Sequence, residues 1–171
     1  MSLRTIMIFP KFQNMVIIDN IRKQYDPLAN LVCPHITMVF PFEDSMSNEE
    51  LAEILNKRLQ TVKPFQLTLA GISKKKDEFG NYLFLNVVQG EEEINFIHQT
   101  LYANEFKEFD KGLPYVPHMT IGKLPTVQLL NEAYESVKGI NDTFSTIISK
   151  ISVEMIGNKE ESIIILEKEL M

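Results

Sequence analysis

One five-residue pattern is written twice in this chain, as Pro34-His35-Ile36-Thr37-Met38 and as Pro117-His118-Met119-Thr120-Ile121. The chain has only three histidines, and two of them occupy the same place in matching Pro-His-apolar-Thr-apolar segments. Read as strand, each segment turns its His and Thr to one face and its two apolar residues to the other. The surroundings repeat as well. A strand with His, an amphipathic helix, a Phe-led strand and a returning strand follow one another at 35–88 and again at 118–168. Repetition on this scale predicts two similar lobes related by an approximate two-fold. The expected organisation is one domain over residues 1–171, with lobes of roughly 1–90 and 91–171 and a crossover near Gly90.

The intervening segments fill in the elements. Residues 3–9 read as a first strand ending at Pro10, and 13–25 as a helix with Met15, Ile18, Ile21 and Arg22 at helical spacing before Asp26-Pro27. The strand from His35 to Phe40 is expected to close at Pro41. Ser47 and Glu50 form a capping-box pattern opening a helix that carries Leu51, Ile54, Leu55 and Leu59. Phe65–Ser73 and Tyr82–Val88 read as a hairpin around the polar loop 74–81, whose lysines read as solvated loop charges offset by Asp77 and Glu78. A helix is expected from Gly90 to about Phe106, with Glu91 to Glu93 in its first turn. It carries His98, to which no chemical role is given. A strand over His118–Lys123 precedes a helix after Pro125 with Leu129, Leu130, Ala133 and Val137. Phe144–Ile156 and Ser162–Leu166 read as a last hairpin around Gly157-Asn158-Lys159.

Composition limits the function. A hydrophobic content of 44% over 171 residues supports a core without metal or disulfide staples. Seventeen basic against 23 acidic side chains give a formal charge of −6, the wrong sign for gripping a long polyanion. The single cysteine, Cys33, precludes an intrachain disulfide, and no apolar run approaches the length of a membrane span. A cytoplasmic protein is expected, so the Asn141-Asp142-Thr143 sequon reads as a coincidence of composition.

Alone, either His would read as a hydrogen-bonded structural residue and either Thr as a good strand former. Their duplication argues otherwise, because packing gives no reason for the same polar pair to recur in both lobes. Facing one groove, two imidazoles could remove a proton from water and deliver another to a leaving oxygen, general acid–base help worth roughly 10²–10⁴ in rate. The hydroxyls of Thr37 and Thr120 would donate to the non-bridging oxygens of a phosphate. This chemistry needs no metal or other cofactor.

These motifs resemble the signature of the two-histidine (2H) phosphoesterase superfamily, which includes the bacterial 2′-5′ RNA ligases and the RNA 2′,3′-cyclic phosphodiesterases. The resemblance implies an α+β fold of two pseudo-symmetric lobes, each a small, mostly antiparallel sheet with helices outside, and an active groove between them. It implies His35 and His118 as catalytic histidines and Thr37 and Thr120 as phosphate ligands. The expected activity is metal-independent hydrolysis of a cyclic phosphodiester. Its expected substrate is a small cyclic phosphate, a nucleotide or an RNA end, since the acidic balance argues against long RNA and against ligation. Tyr115 is a candidate to stack on a base, with core packing as its alternative. Other readings are a non-catalytic nucleotide- or phosphate-binding module, 2′-5′ ligation, thiol chemistry at Cys33, and metal hydrolysis. Against the last, no His-x-His or His-Glu-x-x-His spacing occurs.

Overall fold

The computed structural model describes all 171 residues. In chain order its elements are β1 (Ser2–Ile8), α1 (Met15–Tyr25), β2 (Ile36–Asp44), α2 (Asn48–Arg58), β3 (Phe65–Asp77), β4 (Gly80–Gln89), α3 (Glu91–Tyr102), a 3-10 turn (Lys107–Phe109), β5 (His118–Leu124), α4 (Val127–Val137), β6 (Phe144–Ile148), β7 (Lys150–Ile156) and β8 (Ser162–Glu169).

Local chemistry sets several boundaries. The capping box is formed: the Glu50 N–H donates to Ser47 Oγ at 3.1 Å and the Ser47 N–H donates to Glu50 Oε2 at 2.6 Å. Thr126 caps α4 by accepting from the Leu129 N–H at 3.1 Å. Gly90 turns the chain from β4 into α3 at φ +94°, where a Cβ would lie 2.8 Å from the Gln66 carbonyl oxygen.

Other boundaries differ from the sequence reading. β2 runs through Pro41 to Asp44 instead of closing at Phe40. As an edge strand with a register shift against β1 it tolerates a residue lacking an N–H. The β3–β4 strands extend through the expected loop, and the turn tightens to Asp77–Gly80, where Asp77 Oδ1 accepts from the Phe79 and Gly80 N–H groups. The lysines 74–76 are therefore strand residues. α3 ends at Tyr102, short of Phe106. Phe144–Ile156 is two strands, not one, with the break at Ser149 sending β6 and β7 into different sheets.

The fold is α+β, two antiparallel four-stranded sheets in the orders β2-β1-β7-β8 and β5-β4-β3-β6. The first sheet joins β1 and β2 to β7 and β8 from the two ends of the chain, and the second is built of β3 to β6 from its middle, so the lobes do not divide as 1–90 and 91–171. Two helices are exchanged between the sheets. α1, just upstream of the first motif, packs on β5, which carries the second; α3, just upstream of the second motif, packs on β2, which carries the first. Gly122 in β5 permits the close approach of α1, since a Cβ there would lie 3.0 Å from Tyr25 Cβ. One cluster of 33 buried residues, including Ile18, Ile36, Met38, Ile94, Met119 and Ile121, spans both sheets. No helix is long and apolar enough to cross a membrane.

Candidate active site

The two motifs lie on β2 and β5, edge strands of their respective sheets, and these strands contact each other. Strand alternation acts as expected. Ile36, Met38, Met119 and Ile121 are fully buried, while His35, Thr37, His118 and Thr120 are half-buried on the opposite faces.

Each histidine is held in the same way. His35 Nδ1–H donates to the Cys33 carbonyl at 2.8 Å and His118 Nδ1–H donates to the Val116 carbonyl at 2.7 Å. A carbonyl can only accept, so Nδ1 carries the proton in both rings and Nε2 is left for chemistry. The prolines at 34 and 117 explain why the motif includes them: a residue before proline is driven to extended backbone, which presents its carbonyl to the imidazole two residues on. Cys33 is exposed and contributes this carbonyl.

The surroundings of the two rings differ. Phe84 lies flat on His118 at 3.7 Å between centroids and 20° between planes, whereas Phe9 stands tilted beside His35 at 6.0 Å. Burial lowers the pKa of His35, against the raising effect of the Cys33 carbonyl; the Arg22 and His118 charges add to the lowering and Asp26 opposes it. Burial likewise lowers His118, opposed by the Val116 carbonyl and Asp77 and assisted by Lys75. The two imidazoles are within electrostatic reach of one another.

Sequence reasoning gave no bracing role to Arg22, His98 or Tyr102, and for Tyr115 offered only base stacking or core packing. Buried Arg22 donates through Nε to Asp26 at 2.9 Å and through Nη2 to the Leu28 and Val32 carbonyls, pinning the loop that leads into Pro34-His35. His98 Nδ1–H donates to the Met38 carbonyl at 2.7 Å, and Tyr102 Oη accepts from the Phe40 N–H at 3.0 Å. Tyr115 Oη–H donates to the Thr37 carbonyl at 2.7 Å, and its ring stacks on His98 at 3.6 Å and 6°. Three side chains thus satisfy backbone groups along the free edge of β2, where a neighbouring strand would otherwise pair. His98 covers one face of the Tyr115 ring and Phe40 meets it edge-on at 6.3 Å, so the ring packs against the core, the alternative that stood beside base stacking in the sequence. The spacing of His98 and Tyr102, four apart on one helix face, was the only available signal. The structure brings no three His, Cys, Asp or Glu side chains together as a metal-binding group.

Residues 9–156 match the model of the 2′-5′ RNA ligase superfamily. A Bacillus anthracis protein (strain CDC 684 / NRRL 3495) bearing the name "Putative phosphoesterase" is 32% identical over 122 residues, 69% of this chain and 67% of the relative. Among solved structures, Escherichia coli LigT complexed with 3′-AMP superposes with a TM-score of 0.65 at 13% identity, covering 99% of this chain and 98% of LigT. TT0787 of Thermus thermophilus gives 0.63 at 14%, covering 98% and 97%. At such identities the likeness is one of fold.

Proposed function

The chain belongs to the 2′-5′ RNA ligase superfamily, the two-histidine phosphoesterases, and from that premise we propose that it hydrolyses a 2′,3′-cyclic phosphodiester on a nucleotide or RNA end without a metal. The observation that carries the proposal is the matched tethering of His35 and His118, each with Nδ1 spent on the carbonyl two residues earlier and Nε2 free.

In this reading one Nε2 takes a proton from water as its oxygen bonds to phosphorus. The other, protonated, gives its proton to the departing ribose oxygen as the P–O bond breaks, leaving a phosphomonoester and a free hydroxyl. The half-buried hydroxyls of Thr37 and Thr120 donate to the non-bridging oxygens, where negative charge concentrates in the transition state. Both imidazoles are held neutral more readily than free histidine, so an anionic phosphate bound between them restores the proton that one of them needs. LigT, a neighbour in fold, was crystallised with 3′-AMP, a ligand of the size proposed here.

The test is turnover of each 2′,3′-cyclic nucleotide, with 2′-5′ and 3′-5′ dinucleotides as controls. His35→Ala and His118→Ala should each lower kcat by roughly 10²–10⁴, and excess chelator should leave the rate unchanged. A rate indifferent to both substitutions refutes the assignment, and tight binding of a cyclic nucleotide without turnover would make the chain a binding module instead.

A further inference from the structure

The groove faces of the two sheets are not equivalent. On the first sheet the row through Thr37 continues to Met7 and Ser152, and the next row pairs Thr5 with the buried carboxyl side chain of Glu154. On the second, His118 pairs across the strands with Asn86, Thr120 with Phe84 and then Ser73, and Tyr82 with Lys123 on one side and Lys75 on the other. Directly paired residues share a face, so this last row lies on the His118 side, one step of about 7 Å beyond Thr120.

The rings form a line. Phe84 stacks on His118 at 3.7 Å, and Tyr82 stacks on Phe84 at 5.7 Å and 30°. Lys123 Nζ stands 5.6 Å from the Tyr82 ring centroid. Lys75 and Lys123 are exposed and take part in none of the chain's ion pairs. Asp77, the nearest acid along β3, has its Oδ1 occupied by the N–H groups of its own turn. Lys74 projects from the other face, donating to Asn131 Oδ1 at 2.8 Å and lying over the Tyr134 ring.

Aromatic rings beside unpaired cations are the combination by which proteins hold single-stranded nucleic acid, stacking on bases and neutralising phosphates. We propose that the strip Lys75–Tyr82–Lys123 is a second subsite, which receives the phosphodiester and base adjoining the reactive phosphate, making the preferred substrate the end of an oligonucleotide. This rests on the reading of the His35–His118 groove as a phosphoesterase site, and assigns the direction in which substrate leaves it: over the second sheet, away from the buried acid of the first.

Binding tests the strip without requiring turnover. Affinities of the intact protein for a 3′-phosphate mononucleotide and a 3′-phosphate-ended dinucleotide should differ by on the order of tenfold in favour of the dinucleotide. Lys75→Ala/Lys123→Ala should bring that ratio close to one and make the plot of log affinity against log salt shallower by about 0.7 for one lost phosphate contact. Tyr82→Leu should reduce the ratio with the salt slope unchanged, and Lys74→Ala should alter neither. The same ratios are then read as kcat/KM on the 2′,3′-cyclic forms. A dinucleotide advantage that survives the double substitution, or no advantage in the unsubstituted protein, overturns the subsite whatever the kinetics show. A lysine-dependent advantage in binding with no turnover of either cyclic form would uphold the subsite and reject the hydrolytic reading alone.

Discussion

The imidazole protons of this protein are distributed by backbone carbonyls. With Nδ1 of His35 and His118 each committed to a carbonyl, the titrating position is Nε2 in both, and burial makes protonation harder in both. Catalysis by one neutral and one protonated ring then has a defined pH signature. The free protein loses its protonated ring as pH rises through values below the ordinary 6.5 of histidine, and loses its neutral ring as pH falls further. The kcat/KM profile should therefore be bell-shaped with its maximum below pH 6.5, while the alkaline limb of kcat moves upward, because bound phosphate favours the imidazolium. Initial rates across pH check this, and a kcat/KM maximum well above neutrality would contradict it. His98 shows what residue-level reading cannot reach. In the sequence it has the look of a surface helical histidine, because its partners, the Met38 carbonyl and the Tyr115 ring, are remote along the chain.

At the scale of elements, the edge position of β2 and β5 is what makes a shared groove possible, and it also leaves backbone groups without a strand partner. Along β2 that deficit is met by Tyr115, His98 and Tyr102. Tyr115→Phe keeps the ring on His98 but strips the donor from the Thr37 carbonyl. The expected result is a loss of about 1 kcal/mol in denaturant unfolding and a fall in kcat on the order of tenfold through misplacement of Thr37. Because the phenol touches backbone and not substrate, KM should change less than kcat; the reverse pattern would mean that Tyr115 contacts the ligand directly. Most elements were legible from caps and periodicity, as the Ser47–Glu50 capping box and the spacing of Leu129, Leu130, Ala133 and Val137 illustrate. Two misreadings have a common cause. Ser149 and the lysines 74–76 carry no distinctive local signal, so only strand partners distant in sequence decide that a sheet changes at one and continues through the others.

Across the whole molecule, exchange of α1 and α3 between the sheets ties each motif strand to a helix that precedes the other motif, so the groove cannot open without breaking core contacts. Stability has its own pH signature. His35, His98 and His118 all have depressed pKa values, so their contribution is present above the unfolded value of 6.5 and is lost as pH falls through the folded values. Glu154 has the opposite sign. Burial raises its carboxyl above 4.5, only partly offset by Ser162, so its contribution is full below 4.5 and fades as pH rises through the folded value. Its Oε2 is buried without a hydrogen-bond partner. Glu154→Gln removes the cost of charging a buried group and should stabilise the protein near pH 7 by about 1 kcal/mol; unfolding midpoints of the two proteins at pH 5 and 7.5 check this, and equal stabilisation at both would reject it. The duplicated Pro-His-x-Thr pattern by itself determined which four side chains share strand faces and that the architecture is two-fold, because strand alternation is a local property. Which strands join which sheet, which helix braces which motif, and that Arg22, His98 and Tyr115 hold the first motif in place were decided only in three dimensions, because pairing and burial are set by contacts between residues far apart in the chain.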